Sequence, residues 1–401
     1  MRLTHSHHAN HIRAYQRIAR SDFWLFEISV WFHALALSLV SIFVPILLYK
    51  TGFSISEIVL YYFIFSAVDV PLNFAAAALT RRIGARVVTV LGTLAAILFV
   101  ISLLHLHATG ANLSSLMLMA VFAALYDTLY WVAHLYLFIQ SDTDGNNAGK
   151  NTGVFYAVRQ TAVTIGPMIG AATLLLFNED ILLLAVILLF LVSLAPLAVM
   201  NHPNDKPAVK LLPTEFFKHL HIRRTYLSKL LYNFHSEVES TLFPLFIFTI
   251  FGTISSVAII PVIASVAAII TALSLGNIPR ERRQAAVIGG AAIIALAWLG
   301  RILFPNPLFF YASILLIGVF AHFVLVPLDS EIFEYARESG DPLSASLWRN
   351  VTDMAANAIL YAILLLALHI LPASIAVALI ALVTLILLNL LMRHKKAVPV
   401  A

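Results

Sequence analysis

Twelve apolar stretches follow one another along the chain, at about 25–49, 55–80, 86–106, 113–140, 152–177, 181–200, 226–251, 254–277, 285–304, 308–336, 343–371 and 373–392. A helix needs about 20 apolar residues to cross the hydrocarbon core of a bilayer, whereas a barrel strand would alternate polar and apolar residues over about ten. The lengths therefore predict an all-α membrane protein with twelve transmembrane helices, and a 401-residue chain so occupied has little left for an extramembrane domain. With 61% hydrophobic and 11% charged residues, soluble enzymes, disordered scaffolds and nucleic-acid modules are excluded. The absence of cysteine removes disulfides, thiolate catalysis and Cys-based zinc sites.

Charge placement predicts the orientation. With the N-terminus cytoplasmic, the cytoplasmic segments hold 21 of the 25 Lys and Arg residues, six of them in the loop 201–229. The opposite face holds only Lys50 and Arg301, and Arg159 and Arg349 fall inside apolar runs. By the positive-inside rule both termini are expected in the cytoplasm, with the protein in the plasma membrane. The same asymmetry accounts for the net charge of +5 without a nucleic-acid partner.

The longest polar interruption, with Pro203, Pro207 and Pro213, divides six crossings from six. The expected organisation is a tail at 1–24, a six-helix bundle at 25–200, a central loop at 201–225, a second bundle at 226–393 and a tail at 394–401. Within the loop, Thr214 can cap a short interfacial helix through Phe216 and Phe217, or the segment is a plain tether. An internal repeat supports the division. Pro45 in Phe43-Val44-Pro45-Ile46-Leu47 matches Pro244 in Leu242-Phe243-Pro244-Leu245-Phe246 at an offset of 199 residues. Ser54-Ile55-Ser56 matches Thr253-Ile254-Ser255, and the basic cluster at Arg81 matches that at Arg280, at the same offset. Parallel repeats of this kind predict two pseudo-symmetric bundles that rock about a substrate path near the midplane.

With this architecture the chain resembles a major facilitator superfamily transporter over residues 20–393. The loop between the second and third helices, Ala77-Ala78-Leu79-Thr80-Arg81-Arg82-Ile83-Gly84-Ala85-Arg86, is similar to the family's G-x-x-x-D-R-x-G-R-R at Arg82, Gly84 and Arg86. Ala77 and Arg81 replace the motif's glycine and aspartate, and the resemblance implies that the aspartate's gate latch is altered here. On the fifth helix, Gly166-Pro167-Met168-Ile169-Gly170 resembles the core of the antiporter-branch motif, which implies efflux by antiport. The same small residues and proline also suit close packing and a bend.

Ionisable side chains at membrane depth cost at least ~2.5–3.5 kcal/mol each on insertion scales, so they require partners, water or a function. The runs contain Asp69, Asp127, Glu237, Glu239, Asp329, Glu331 and Asp353 against Arg159 and Arg349, so five acids exceed the available arginines. Helix depth pairs Asp329 with Arg349 and sets His134 level with Arg159, leaving Asp127 two turns deeper without a cation from the fifth helix. So placed, Asp127 can load and release a proton, or it is held inertly by backbone or Tyr130. His235 and Glu239 share a face as a second proton site with Glu237 as a substrate contact, unless the stretch lies near water at a helix end. Tyr126, Tyr130, Trp131 and Trp348 stand near these charges and suit an amphipathic or cationic solute by cation–π contact, though each also suits packing. Glu27, His33, His322 and Glu334 are further buried candidates.

Gly145–Lys150 lacks a phosphate loop's spacing, Asp142–Asn146 lacks a calcium loop's turn glycine, and His5, His7, His8 and His11 lack a fixed geometry, so no metal site or cofactor is expected. The expected function is alternating-access transport of a small organic solute by a monomer in the lipid bilayer, coupled to protons, with antiport efflux favoured. Proton or sodium symport, or a non-transporting sensor, are the alternatives.

Overall fold

The structure is a computed structural model that describes residues 22–141, 148–200, 220–274, 278–339 and 341–395. The His-rich tail, the turn at 142–147 and the interfacial helix expected near Thr214 lie outside the described residues.

Among the described residues the helices form twelve rods. The first half comprises α1 (Asp22–Val40 and, after a turn, Val44–Thr51), α2 (Ile55–Ile83), α3 (Ala85–Thr109), α4 (Leu113–Ser141), α5 (Ala148–Leu176) and α6 (Glu179–Val199). The second comprises α7 (Leu220–Glu237, a π-helical turn Val238–Leu242, then Phe243–Phe251), α8 (Ile254–Ser274), α9 (Arg280–Leu303), α10 (Pro307–Glu338), α11 (Pro342–Leu365) and α12 (Ile370–Lys395). Eight of these are by themselves long and apolar enough to cross a bilayer.

The repeat read from sequence has a structural meaning. Pro45 and Pro244 each open the outer segment of a broken rod, where a missing backbone N–H removes no helical hydrogen bond. Gly52 and Gly252 end those segments in the left-handed conformation, at φ 110° and 68°. Ser54 and Thr253 then cap α2 and α8, accepting from the backbone N–H of Glu57 and Ser256 at 3.3 Å in both cases. The breaks at 41–43 and 238–242 fall at the same place in the two halves.

Packing repeats as well. In the first half α1 packs on α5 and α6, α3 on α4 and α6, and α2 on α4. In the second half α7 packs on α11 and α12, α9 on α10 and α12, and α8 on α10, each pair advanced by six helices. Because lipid tails are as apolar as leucine, such contacts depend on close approach rather than on hydrophobic burial. Gly166 and Gly170 supply it for α5: a Cβ there would lie 1.9 Å from Ser38 Oγ and 2.1 Å from the Leu39 carbonyl oxygen of α1. The helix-5 motif is therefore a seam between α1 and α5.

Between the halves, α11 packs along α2 and on α4, and α5 packs on α8. Ser346 near the start of α11 donates to the Val132 carbonyl of α4 at 3.0 Å, closing the end of the molecule that carries the basic loops. Towards the other end Tyr62 of α2 stacks on Tyr361 of α11, with centroids 5.3 Å apart, and Tyr49 meets Phe248 edge-on. The polar residues enclosed between these closures are shielded from both sides.

Candidate functional site

Asp69 and Asp127 lie fourteen residues past the first residues of α2 and α4, Ile55 and Leu113. At ~1.5 Å per residue that places both about 21 Å along helices roughly 43 Å long, near the middle of the membrane. Neither has an ion-pair partner among the described residues, and neutral amides serve them instead. Asn73, one turn after Asp69, donates to its Oδ1 at 2.5 Å. Asn350 reaches across from α11 and donates to Asp127 Oδ2 and to Asn73 Oδ1, both at 2.9 Å. Asp69 Oδ2 is buried without a donor, and the Asp127 carboxyl is its electrostatic neighbour. The two acids are joined through the amides of Asn73 and Asn350. Hydrogen bonds to a charged group are worth about 1.5–3 kcal/mol, so the two amides offset the burial of one charge far better than of two.

The second half holds five of the seven acids and answers four of them, Glu239, Asp329, Glu331 and Asp353, with cations. Arg349 donates through Nε and Nη2 to the two oxygens of Asp329, at 3.3 and 3.2 Å, as helix depth predicts. Lys229 of α7 lies 3.2 Å from Asp329 and 3.7 Å from Asp353. Arg301 forks onto Glu239 at 2.5 and 2.9 Å, donates to Ser313 at 2.7 Å, and lies over the rings of Phe243 and Trp298 at 3.6 and 4.3 Å. Such fork geometry, with three of the five N–H donors engaged and the guanidinium face on aromatic rings, suits a buried arginine.

These cations correct the expected excess of five acids. α7 begins at Leu220 rather than near residue 226, which carries Lys229 and Arg224 from the loop into the helix, and Arg301 is buried rather than exposed on the opposite face. Arg224 pairs with Glu331 at 3.3 Å, and Thr225 donates to the same carboxylate at 2.5 Å. Glu331 therefore belongs to a charged cleft at the basic end of α10, beside Glu334 and its bidentate partner Arg283. Of the seven acids, Asp69, Asp127 and Glu237 remain without an ion pair among the described residues.

Glu237 is fully hydrogen-bonded by neutral groups. Tyr361 and Thr241 donate to Oε1, and Asn357 donates to Oε2 at 3.2 Å. Asn233 ties this cluster to α11 through Asn357 Oδ1 and the Asp353 carbonyl, at 2.7 and 2.8 Å. The expected His235/Glu239 proton site is not assembled: the π turn separates them, His235 Nδ1 accepts from Trp298 at 2.8 Å, and Glu239 belongs to Arg301.

A cavity of about 190 Å³ opens between α1, α4 and α5, lined among others by His33, Ser38, Tyr130, Trp131, His134 and Arg159. His134 and Arg159 share it, in keeping with their similar depths. Trp348 packs edge-on against Phe74, 5.6 Å away, in the α2–α11 seam. In the loop between α2 and α3, Gly84 turns the chain at φ 90°, Arg81 and Arg82 are exposed, and Arg86 donates to the Met200 carbonyl at 2.6 Å. Arg86 thus caps the end of α6.

The residues missed at sequence level are Asn73, Asn350, Asn357, Lys229 and Arg301. The first has a readable signal, an amide four residues from a buried acid, and so does Asn357 relative to Asp353. Asn350 acts across the two halves, which local spacing does not reveal.

Compared with known proteins, residues 26–351 match the sequence model of the Major Facilitator Superfamily. No curated protein matches the chain in sequence. Among solved structures, the human organic anion transporter MFSD10 (TETRAN) is similar in fold, with a TM-score of 0.67 and 15% identity over 93% of this chain and 98% of that one. A match over most of the chain, together with twelve helices in two related bundles, makes this protein a member of the major facilitator superfamily, a family of membrane transporters.

Proposed function

We propose that the protein is a proton-coupled secondary transporter of a small organic solute, and that the Asp69–Asp127 pair carries the coupling proton. The observation that carries this is the buried oxygen of Asp69, which lacks a donor and has a second carboxyl as its electrostatic neighbour. Two carboxyls in contact share one proton more readily than they bear two charges. The pair is wired to the moving parts, because the Asn350 amide that serves Asp127 belongs to the other half. Loss of the proton strengthens that bridge and holds α11 against α2 and α4; its gain weakens the bridge and favours separation. A ligand or proton shifts a conformational equilibrium only by binding the two states differently, and this contact supplies the difference.

One chain is the working unit, in the plasma membrane with the basic loops and both termini cytoplasmic. The charge asymmetry supports this orientation, since the burial of Arg301 leaves Lys50 as the one Lys or Arg assigned to the opposite face. The helix-5 resemblance favours efflux by antiport. The test is transport in proteoliposomes loaded with a pH-sensitive dye, using cargo found by thermal-shift screening at two pH values. Cargo-dependent proton movement in wild type, absent in Asp127→Asn, is expected. Equal proton movement in the variant excludes the pair as the coupling site.

A further inference from the structure

The cavity between α1, α4 and α5 has a chemistry unlike the rest of the interior. Among the described residues its lining includes one guanidinium and two imidazoles and no carboxylate. Arg159 lies 4.8 Å from the Trp131 ring, so its charge rests on one aromatic wall. A stack of three rings adjoins it: His33 lies on Tyr130 at 3.6 Å and 8°, and His134 on Tyr130 at 4.8 Å and 23°. His33 is 2% exposed; its Nε2 meets the Tyr126 hydroxyl at 3.1 Å, and its Nδ1 has no partner. With the Tyr126 hydroxyl donating to Nε2, Nδ1 carries the ring proton and is a donor in want of an acceptor. Ser38 already donates to the carbonyls of Leu35 and Ala162, both at 3.0 Å, and so closes the cavity without offering a proton. Glu27, one turn from the lining residue Val30 on α1, is buried outside the lining.

We infer that this cavity binds a small organic anion, with its acidic group on Arg159 and His33 and its apolar body against Tyr130 and Trp131. The guanidinium carries five donors in a planar fork suited to a carboxylate or phosphonate. The volume of about 190 Å³ lies below the ~300 Å³ lower end of drug-sized sites, which limits the occupant to a single ring or a short chain. This reverses the cationic solute that an excess of acids suggested, because most of those acids are spent on Lys229, Arg349, Arg301 and Arg224. The inference rests on the proposed transport function only for the use made of the site; binding itself needs no proton coupling.

The test is the unfolding midpoint of the detergent-purified protein at one fixed pH, titrated with benzoate, phenylphosphonate, benzyl alcohol and benzylamine. A saturable rise with at least one of the two anions, exceeding any effect of the alcohol or the amine, is expected. Arg159→Gln should weaken that anion's binding at least tenfold, with Arg159→Lys between the two. Val163→Phe narrows the cavity while keeping every charge, and it should also abolish the anion's effect; it decides the matter if Arg159→Gln does not fold. No shift with either anion, an equal or larger shift with benzylamine, or an anion shift that survives Arg159→Gln or Val163→Phe overturns the inference. Anion binding without cargo-dependent proton movement would instead overturn only the proton coupling proposed above.

Discussion

Asp127 on α4 and Asp329 on α10, the corresponding helix of the second half, are both buried carboxylates, yet a single amide serves the first while a guanidinium and an ammonium grip the second. The helix pairings are the same in the two halves, so the fold does not decide how an acid is held; the neighbouring side chains do. An acid held by a permanent cation stays charged and acts as a fastener, since protonating it would strand the cation. An acid held by amides beside a second acid has two comparable states. In the proposed mechanism the first half carries the switch and the second half the scaffold against which it works.

The largest expected effect comes from breaking a fastener. Arg301→Met leaves Glu239 without its cation and Ser313 without its donor, and it should cost about 3–5 kcal/mol, as removal of one member of a buried pair does. Chemical unfolding in detergent reads this directly. Gly170→Ala follows, because its Cβ would lie 2.1 Å from the Leu39 carbonyl oxygen; overpacking of the α1–α5 seam should cost about 1–3 kcal/mol in the same assay. Asn350→Ala removes a donor shared by Asn73 and Asp127, with a similar expected cost of about 1–3 kcal/mol, but unlike the first two it should also change the pH dependence of transport. The smallest effect is expected at Lys50→Gln: its partner Glu179 sits near water at the opposite face, and such pairs are worth about 0.2–1 kcal/mol. If Asn350→Ala proves costlier than Arg301→Met, the assignment of switch and scaffold to the two halves is inverted.

Much of the fold was legible because membrane helices announce themselves by length, and because Pro45 and Pro244 mark equivalent breaks 199 residues apart. The start of α7 was read late because Arg223, Arg224 and Lys229 look like loop residues by composition. Arg223 is exposed, and only the pairing of Arg224 with Glu331 and of Lys229 with Asp329 and Asp353 makes those two tolerable inside a helix. Arg301 misled for the same reason: two residues before the end of α9, it reads as an exposed charge, but Glu239 and two aromatic rings draw it inward. The Asp329–Arg349 contact was legible from helix depth alone, since the partners sit on consecutive antiparallel helices. Asn350 was not, because its partners lie 223 and 277 residues away and only the packing of α11 on α2 and α4 brings them together.

The central claim is that Asp69 and Asp127 share one exchangeable proton. Infrared difference spectroscopy of the reconstituted protein across a pH titration tests it most directly, by following the carbonyl stretch of protonated carboxyl groups in wild type, Asp69→Asn and Asp127→Asn. A titrating band present in wild type and shifted or lost in both single variants is expected, because removing either carboxyl dissolves the pair. A band that titrates identically in all three proteins, or none in wild type, would contradict the account.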